Sequence, residues 1–201
     1  MTARAITQLS ALLATALVTA GCSGEKVVNT GESPERTASA VAAAPPPPAS
    51  NAHLVNAFDY VGHMADTTGY YFSTPSGKWR CAIVTRTKAG CQAANVWQSG
   101  LGISGEPDSV PDADGQDTTP NAVVVDRESD PAFVALAEQE FSLVPGPAKV
   151  LPFNRILAAA GFRCNVQESG VSCLSELSGK GFTFSAESYT PQYTDVPANA
   201  P

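Results

Sequence analysis

Trp79-Arg80-Cys81-Ala82-Ile83-Val84 leads through Thr85-Arg86-Thr87-Lys88 to Ala89-Gly90-Cys91, and Phe162-Arg163-Cys164-Asn165-Val166 leads through Gln167-Glu168-Ser169-Gly170 to Val171-Ser172-Cys173. Both stretches read aromatic, Arg, Cys, any residue, β-branched, polar turn, Cys. Each has the form of a β-hairpin with polar residues at its tip. Facing residues of a non-hydrogen-bonded antiparallel pair lie about 4.5 Å apart at Cα, a separation that a disulfide spans. The repeated pattern therefore favours local staples, Cys81–Cys91 and Cys164–Cys173. Loop closure assigns roughly 2.7 kcal/mol to each, and the crossed pairings close longer loops and score higher on that count. The pattern, not the energy, selects the local pairs. The nine and eight intervening residues differ from zinc-knuckle spacing of about two to four, so no metal is expected.

Working outward, other segments agree with β structure. Tyr70-Tyr71-Phe72 ends at the turn cluster Ser73-Thr74-Pro75-Ser76-Gly77, Asn121-Ala122-Val123-Val124-Val125 looks like a buried strand, and Phe182-Thr183-Phe184-Ser185 alternates apolar and polar. Pro131 to Phe141 is the one helix expected, with Asp130 as N-cap and Phe133, Ala137 and Phe141 on one face. The expected fold is mainly β, with α+β as the alternative. It is a small disulfide-stapled antiparallel domain over residues 56–190, with two Cys-bearing hairpins, one short helix and a disordered tail at 191–201.

The N-terminus reads as an address. Met1-Thr2-Ala3-Arg4 is a short positive region, Leu9 to Val18 is apolar, and Val18-Thr19-Ala20-Gly21-Cys22 closes the stretch with small residues before a cysteine. The apolar run has the length of a signal-peptide core and is too short to span a bilayer. Small residues before a Cys at this place look like a bacterial lipoprotein signal over 1–21, with Cys22 as the residue that receives diacylglycerol. A plain secretory signal followed by a chance cysteine is the alternative. Two acyl chains anchor a protein stably, whereas one binds reversibly. The expected location is the extracytoplasmic face of the cell membrane, held by lipid. Residues 22–55, with an Ala run and Pro45-Pro46-Pro47-Pro48, read as a flexible tether. An even count of four further cysteines behind an export signal fits an oxidising compartment.

Composition excludes other classes. Lys and Arg total 12 against 19 Asp and Glu, a net charge of −7, which argues against nucleic acid and against a polybasic grip on lipid. Ten acids and one base, Arg127, lie between Glu106 and Glu140, a soluble face or an orienting field for a basic partner.

Phe72-Ser-Thr-Pro-Ser-Gly-Lys-Trp-Arg-Cys81, with Gly161-Phe-Arg-Cys164, Gly170-Val-Ser-Cys173 and Gly179-Lys-Gly-Phe182, resembles exported actinobacterial cell-envelope proteins of uncharacterised function. Lys78 stands where that pattern carries Asn. The resemblance implies an outer-surface lipoprotein or secreted domain and brings no catalytic residues.

Chemical motifs are few. Gly100-Leu101-Gly102-Ile103-Ser104-Gly105 fits G-x-G-x-x-G, but Glu106-Pro107-Asp108 follows where a phosphate-binding helix would start. Asp112-Ala113-Asp114-Gly115-Gln116-Asp117 looks like a calcium loop, yet aligning Gly115 with its bend puts Val110 and Asn121 at the anchoring positions. No G-x-S-x-G elbow occurs, and His63 is the single domain histidine, so no catalytic residue and no cofactor is assigned. Tyr70, Tyr71, Trp79 and Trp97 are either core or a platform for a sugar or hydrophobic ligand. The sequence therefore points to a non-catalytic binding or scaffold role in the cell envelope. The alternatives are a cell-wall glycan or lipid binding module and a hydrolase with an unrecognised site. Partners are the membrane, through the anchor, and an envelope protein, glycan or lipid.

Overall fold

Both cysteine-bearing stretches fold as antiparallel hairpins, each with its own disulfide. The computed structural model describes residues 51–64, 67–95, 99–143, 146 and 148–201. The signal segment, Cys22, the tether to residue 50 and Trp97 lie outside the described residues. A turn of 3-10 helix, Ala57–Tyr60, opens the fold, and the Asn56 side chain caps it by accepting from Phe58 N–H at 3.2 Å. The strands that follow are β1 (Val61–Met64), β2 (Thr67–Ser73), β3 (Trp79–Val84), β4 (Lys88–Ala93), β5 (Val110–Pro111), β6 (Asp117–Thr118) and β7 (Ala122–Asp126). After them come β8 (Ala132–Val134), β9 (Lys149–Val150), β10 (Arg155–Ala159), β11 (Phe162–Gln167), β12 (Gly170–Ser175), β13 (Gly181–Phe184) and β14 (Tyr189–Thr190).

Two antiparallel sheets make a sandwich. The first runs β1-β2-β3-β4-β7-β8, with β9 added in parallel to the end of β2. The second runs β10-β11-β12-β13-β14, and β5 with β6 forms a separate small hairpin. Strand alternation decides what each residue faces. Phe72, Cys81, Ile83, Cys91, Val123 and Val125 from the first sheet meet Leu157, Phe162, Cys164, Val166, Cys173 and Phe182 from the second in one core. Cys81 opposes Cys91 and Cys164 opposes Cys173 in register, and all four are 0% exposed. The staples are thus core residues, packed where β4 touches β11 and β12. Ala160 and Gly161, both at positive φ, form the two-residue turn between β10 and β11, the geometry whose twist matches paired strands.

The outer face of the first sheet is also covered. Tyr71, Ala82, Val84 and Ala122 pack with Phe141 and the half-buried Leu136 and Leu143. Gly90 lies beneath the Phe141 ring, where an added Cβ would stand 2.6 Å from Cζ. Here the expected helix fails. Residues 132–134 pair with β7 as β8, and 135–143 cross the sheet irregularly. Gln92, 0% exposed, takes over backbone groups that a helix would satisfy internally: its Oε1 accepts from Phe141 N–H at 3.0 Å, and its Nε2 donates to Glu138 O at 3.2 Å. Tertiary partners override a capping signal and a three-residue stripe.

Two boundaries also move. Residues 191–196, expected to be disordered, strap the outer face of the second sheet. Asn165, 0% exposed, donates to Tyr193 Oη at 3.0 Å and Thr194 O at 2.9 Å, while Thr183 donates to Gln192 O at 2.8 Å and Val196 is buried. Asn165, Ser172 and Thr183 are register partners across β11, β12 and β13, so a polar row meets a polar strap. Residues 51–55, expected to belong to the tether, pack on β10: Leu54 bridges Ile156, Asn51 Oδ1 accepts from Arg163, and His53 is buried.

Candidate functional site

One end of the sandwich gathers the turn that the sequence flags most strongly. Thr74 carbonyl accepts from Gly77 N–H at 2.9 Å, and Thr74 Oγ1 accepts from Trp79 N–H at 3.3 Å, closing the turn on itself. Gly77, at φ +68°, supplies the left-handed residue. The turn delivers Trp79 inward. Its ring meets Phe184 edge-on at 5.1 Å, its Nε1–H donates to Leu101 O at 3.3 Å, and the residue is 8% exposed. Lys78 stays outside, with Nζ 6.0 Å from the indole centroid.

Two hollows flank the Lys78–Trp79 pair. One, of about 290 Å³, is bounded by Gly77, Ala94, Asn95, Leu101, Gly102 and Ala186. The other, of about 180 Å³, is bounded by Thr74, Pro75, Phe153, Glu168 and Glu187 among others. An ammonium, the amides of Asn95 and Gln167 and two carboxylates therefore rim these two adjoining, partly apolar hollows. That set can hydrogen-bond a polar ligand; it contains no histidine to act as a base. Lys78 was legible as part of the turn, whereas Phe153, Glu168 and Glu187 come from distant chain and carried no signal.

The aromatic residues do not share a face. Tyr70 and Tyr71 are neighbours on β2, so they point to opposite sides. Tyr70 packs against the inter-sheet core, and Tyr71, 2% exposed, lies in the outer cluster under Phe141. Trp79 belongs to the inter-sheet core. Of the two readings of Tyr70, Tyr71 and Trp79, core or platform, the packing of these three side chains fits core. Trp97 is outside the described residues.

A wider hollow, about 430 Å³, opens beside Tyr71, Lys88 and Glu138 to Glu140. Lys88 Nζ meets Glu140 Oε2 at 2.6 Å. Burial, with the Glu140 charge second, pushes the Tyr71 hydroxyl above its ordinary pKa. A phenol so held stays protonated at neutral pH.

The glycine motif does bind an anion, and the anion is its own. Glu106 accepts from Leu101 N–H at 2.8 Å, Gly102 N–H at 3.1 Å and Ile103 N–H at 3.3 Å. This concave row of amides is an anion nest. Gly100 supplies the left-handed residue at φ +80°, and an added Cβ there would lie 2.6 Å from Glu106 Oε1 and displace the carboxylate. The acidic loop likewise turns inward: Asp112 Oδ1 accepts from Asp114 and Gln116 N–H, both at 2.9 Å, closing the β5–β6 hairpin. His63, exposed on β1, has its Nδ1 3.1 Å from Thr68 Oγ1, its cross-strand partner. No family model, curated protein or solved structure matches this chain.

Proposed function

We propose that this chain is an acyl-anchored extracytoplasmic protein of the cell envelope, held to the membrane by Cys22 and acting there by binding or scaffolding without catalysis. The observation that carries the reading is the burial of both disulfides. Four cysteines at 0% exposure sit in the inter-sheet core as two disulfides, and structural disulfides form and persist outside the reducing cytosol. The lipoprotein-like signal ending at Cys22 supplies both that route and the anchor. The fate of the polar groups agrees: Glu106 and Asp112 are consumed by backbone amides, and His63 meets a threonine.

Expressed with its full N-terminus in a bacterial host, the wild-type chain should sediment with membranes and enter the detergent phase. The Cys22→Ala chain should pass to the soluble fraction or the medium. Unchanged membrane retention of Cys22→Ala, or an unmodified N-terminal methionine on a cytosolic pool, refutes the proposal. A second reading, a module for an envelope glycan or lipid, is favoured by the cleft beside Lys78 and Trp79.

A further inference from the structure

Six large apolar side chains among the described residues are more than a third exposed, and five of them lie on two segments: Leu54, Phe58 and Val61 on one, Val150 and Phe153 on the other. The segments are fastened together. Tyr60 hydroxyl donates to Val150 O at 3.3 Å, and Lys149 Nζ meets Asp59 Oδ2 at 2.9 Å. Phe58 is 85% exposed on the 3-10 turn, while Tyr60, two residues on, is buried at 4%. An aromatic ring left in water gives up most of what its burial contributes, so a cover is called for.

We infer that the cover is the lipid bilayer itself, and that the folded part docks on the membrane through this patch instead of floating on its tether. The inference rests on the proposed anchoring at Cys22. Position supports it: Leu54 lies three residues after Asn51, the first described residue, and 29 residues run from Cys22 to Ser50, a length for which a flexible chain would span about 30 Å. Such a tether holds the patch at an effective concentration on the order of millimolar relative to the surface. Shallow insertion of Phe58 and Leu54, too weak to hold a free protein, then suffices.

Charge supports it as well. Asp59 and Lys149 cancel within the patch. Glu168 and Glu187 border the hollow at Phe153, but the acids are densest elsewhere: Asp112, Asp114 and Asp117 on the β5–β6 hairpin beside β8, and Asp126, Glu128 and Asp130 at the β7–β8 turn. β8 is one edge of the first sheet, and β1 with β9 is the other. Beside anionic headgroups this asymmetry turns the acidic edge outward and the apolar edge inward.

The test uses the full acylated chain carrying Phe58→Trp, reconstituted into phosphatidylethanolamine–phosphatidylglycerol vesicles with brominated acyl chains. After subtraction of the parent chain's tryptophan emission, the signal of the introduced indole should be blue-shifted and quenched. Adding Leu54→Asp should reduce the quenching at an unchanged melting temperature. A chain that sediments with vesicles through Cys22 but shows unquenched, water-like emission overturns docking and leaves the anchor standing. Sedimentation that is indifferent to Cys22→Ala, or no sedimentation at all, overturns the anchor and this inference with it.

Discussion

Removing the staple of the first hairpin, by Cys81→Ala together with Cys91→Ala, measures how far the sandwich depends on oxidation. The bridge joins residues 10 apart in sequence, for which loop closure in the unfolded chain gives about 2.7 kcal/mol. Both cysteines are 0% exposed, and each lost sulfur leaves a void worth on the order of 1 kcal/mol, the scale of a buried methyl deletion. The sum is about 4–5 kcal/mol. The second pair, 9 apart, gives about 2.6 kcal/mol from closure and the same void. With a urea dependence near 2 kcal/mol/M, each double variant should unfold at about 2 M less urea. A chain lacking both staples would lose most of an ordinary domain stability of about 5–15 kcal/mol, and neighbouring sites at the β4 contact with β11 and β12 would add a coupling term. Equilibrium unfolding in urea, followed by far-ultraviolet circular dichroism, provides the measurement. Midpoint shifts below about 0.5 M for both pairs would falsify the reasoning, because packing alone would then be holding the sheets.

Two further outcomes follow from buried polar groups. Burial first, opposed by the Asn165 amide, pushes the Tyr193 hydroxyl well above its ordinary value of 10.0. A raised folded pKa means stability that is complete below about pH 10 and lost as pH rises past it, so Tyr193→Phe should show a shallower alkaline loss in urea midpoint than wild type. Identical alkaline slopes would remove Tyr193 from the account. His53 is buried with neither ring nitrogen partnered among the described residues; His53→Leu should therefore raise stability by about 1–3 kcal/mol, the cost of an unmet buried polar group. A drop in melting temperature would show that those nitrogens hold something.

The hairpins were legible because their determinants are local: cysteines at matched spacing, β-branched residues and a polar tip all sit within about a dozen residues. The strap at 191–196 was not. Its composition is that of an exposed tail, and what makes it ordered is Asn165, Ser172 and Thr183, which in sequence look like the solvent side of alternating strands. The 131–141 segment misled for a related reason. Pro131 after Asp130 is a sound helix start, but the exposed edge of β7 accepts residues 132–134, and Gln92 reaches in from a strand 46 and 49 positions before the residues it holds. In the cleft, the turn Thr74 to Trp79 was readable, while Glu168 and Glu187 arrive there only through pairing of the second sheet.

Those two misreadings share a cause that lies beside the cysteines. Gln92 follows Cys91 and Asn165 follows Cys164. In a strand, the neighbour of an inward residue points outward, so each of these amides faces the outer side of its sheet directly behind a disulfide. Gln92 holds the chain at Glu138 and Phe141 over the first sheet; Asn165 holds Tyr193 and Thr194 over the second. Both amides are 0% exposed, and a buried amide left without partners would cost about 1–3 kcal/mol. Each sheet is thus fixed on its inner side by sulfur and on its outer side by an amide one residue away. The covalent bond keeps the strand in register, and register is what aims the amide: a slip by one residue would turn Gln92 or Asn165 into the core and the cysteine out. Oxidation therefore does more than link two strands. It fixes the outward clasp that orders the irregular chain over each face, which is why segments without secondary structure of their own still have defined places on this fold.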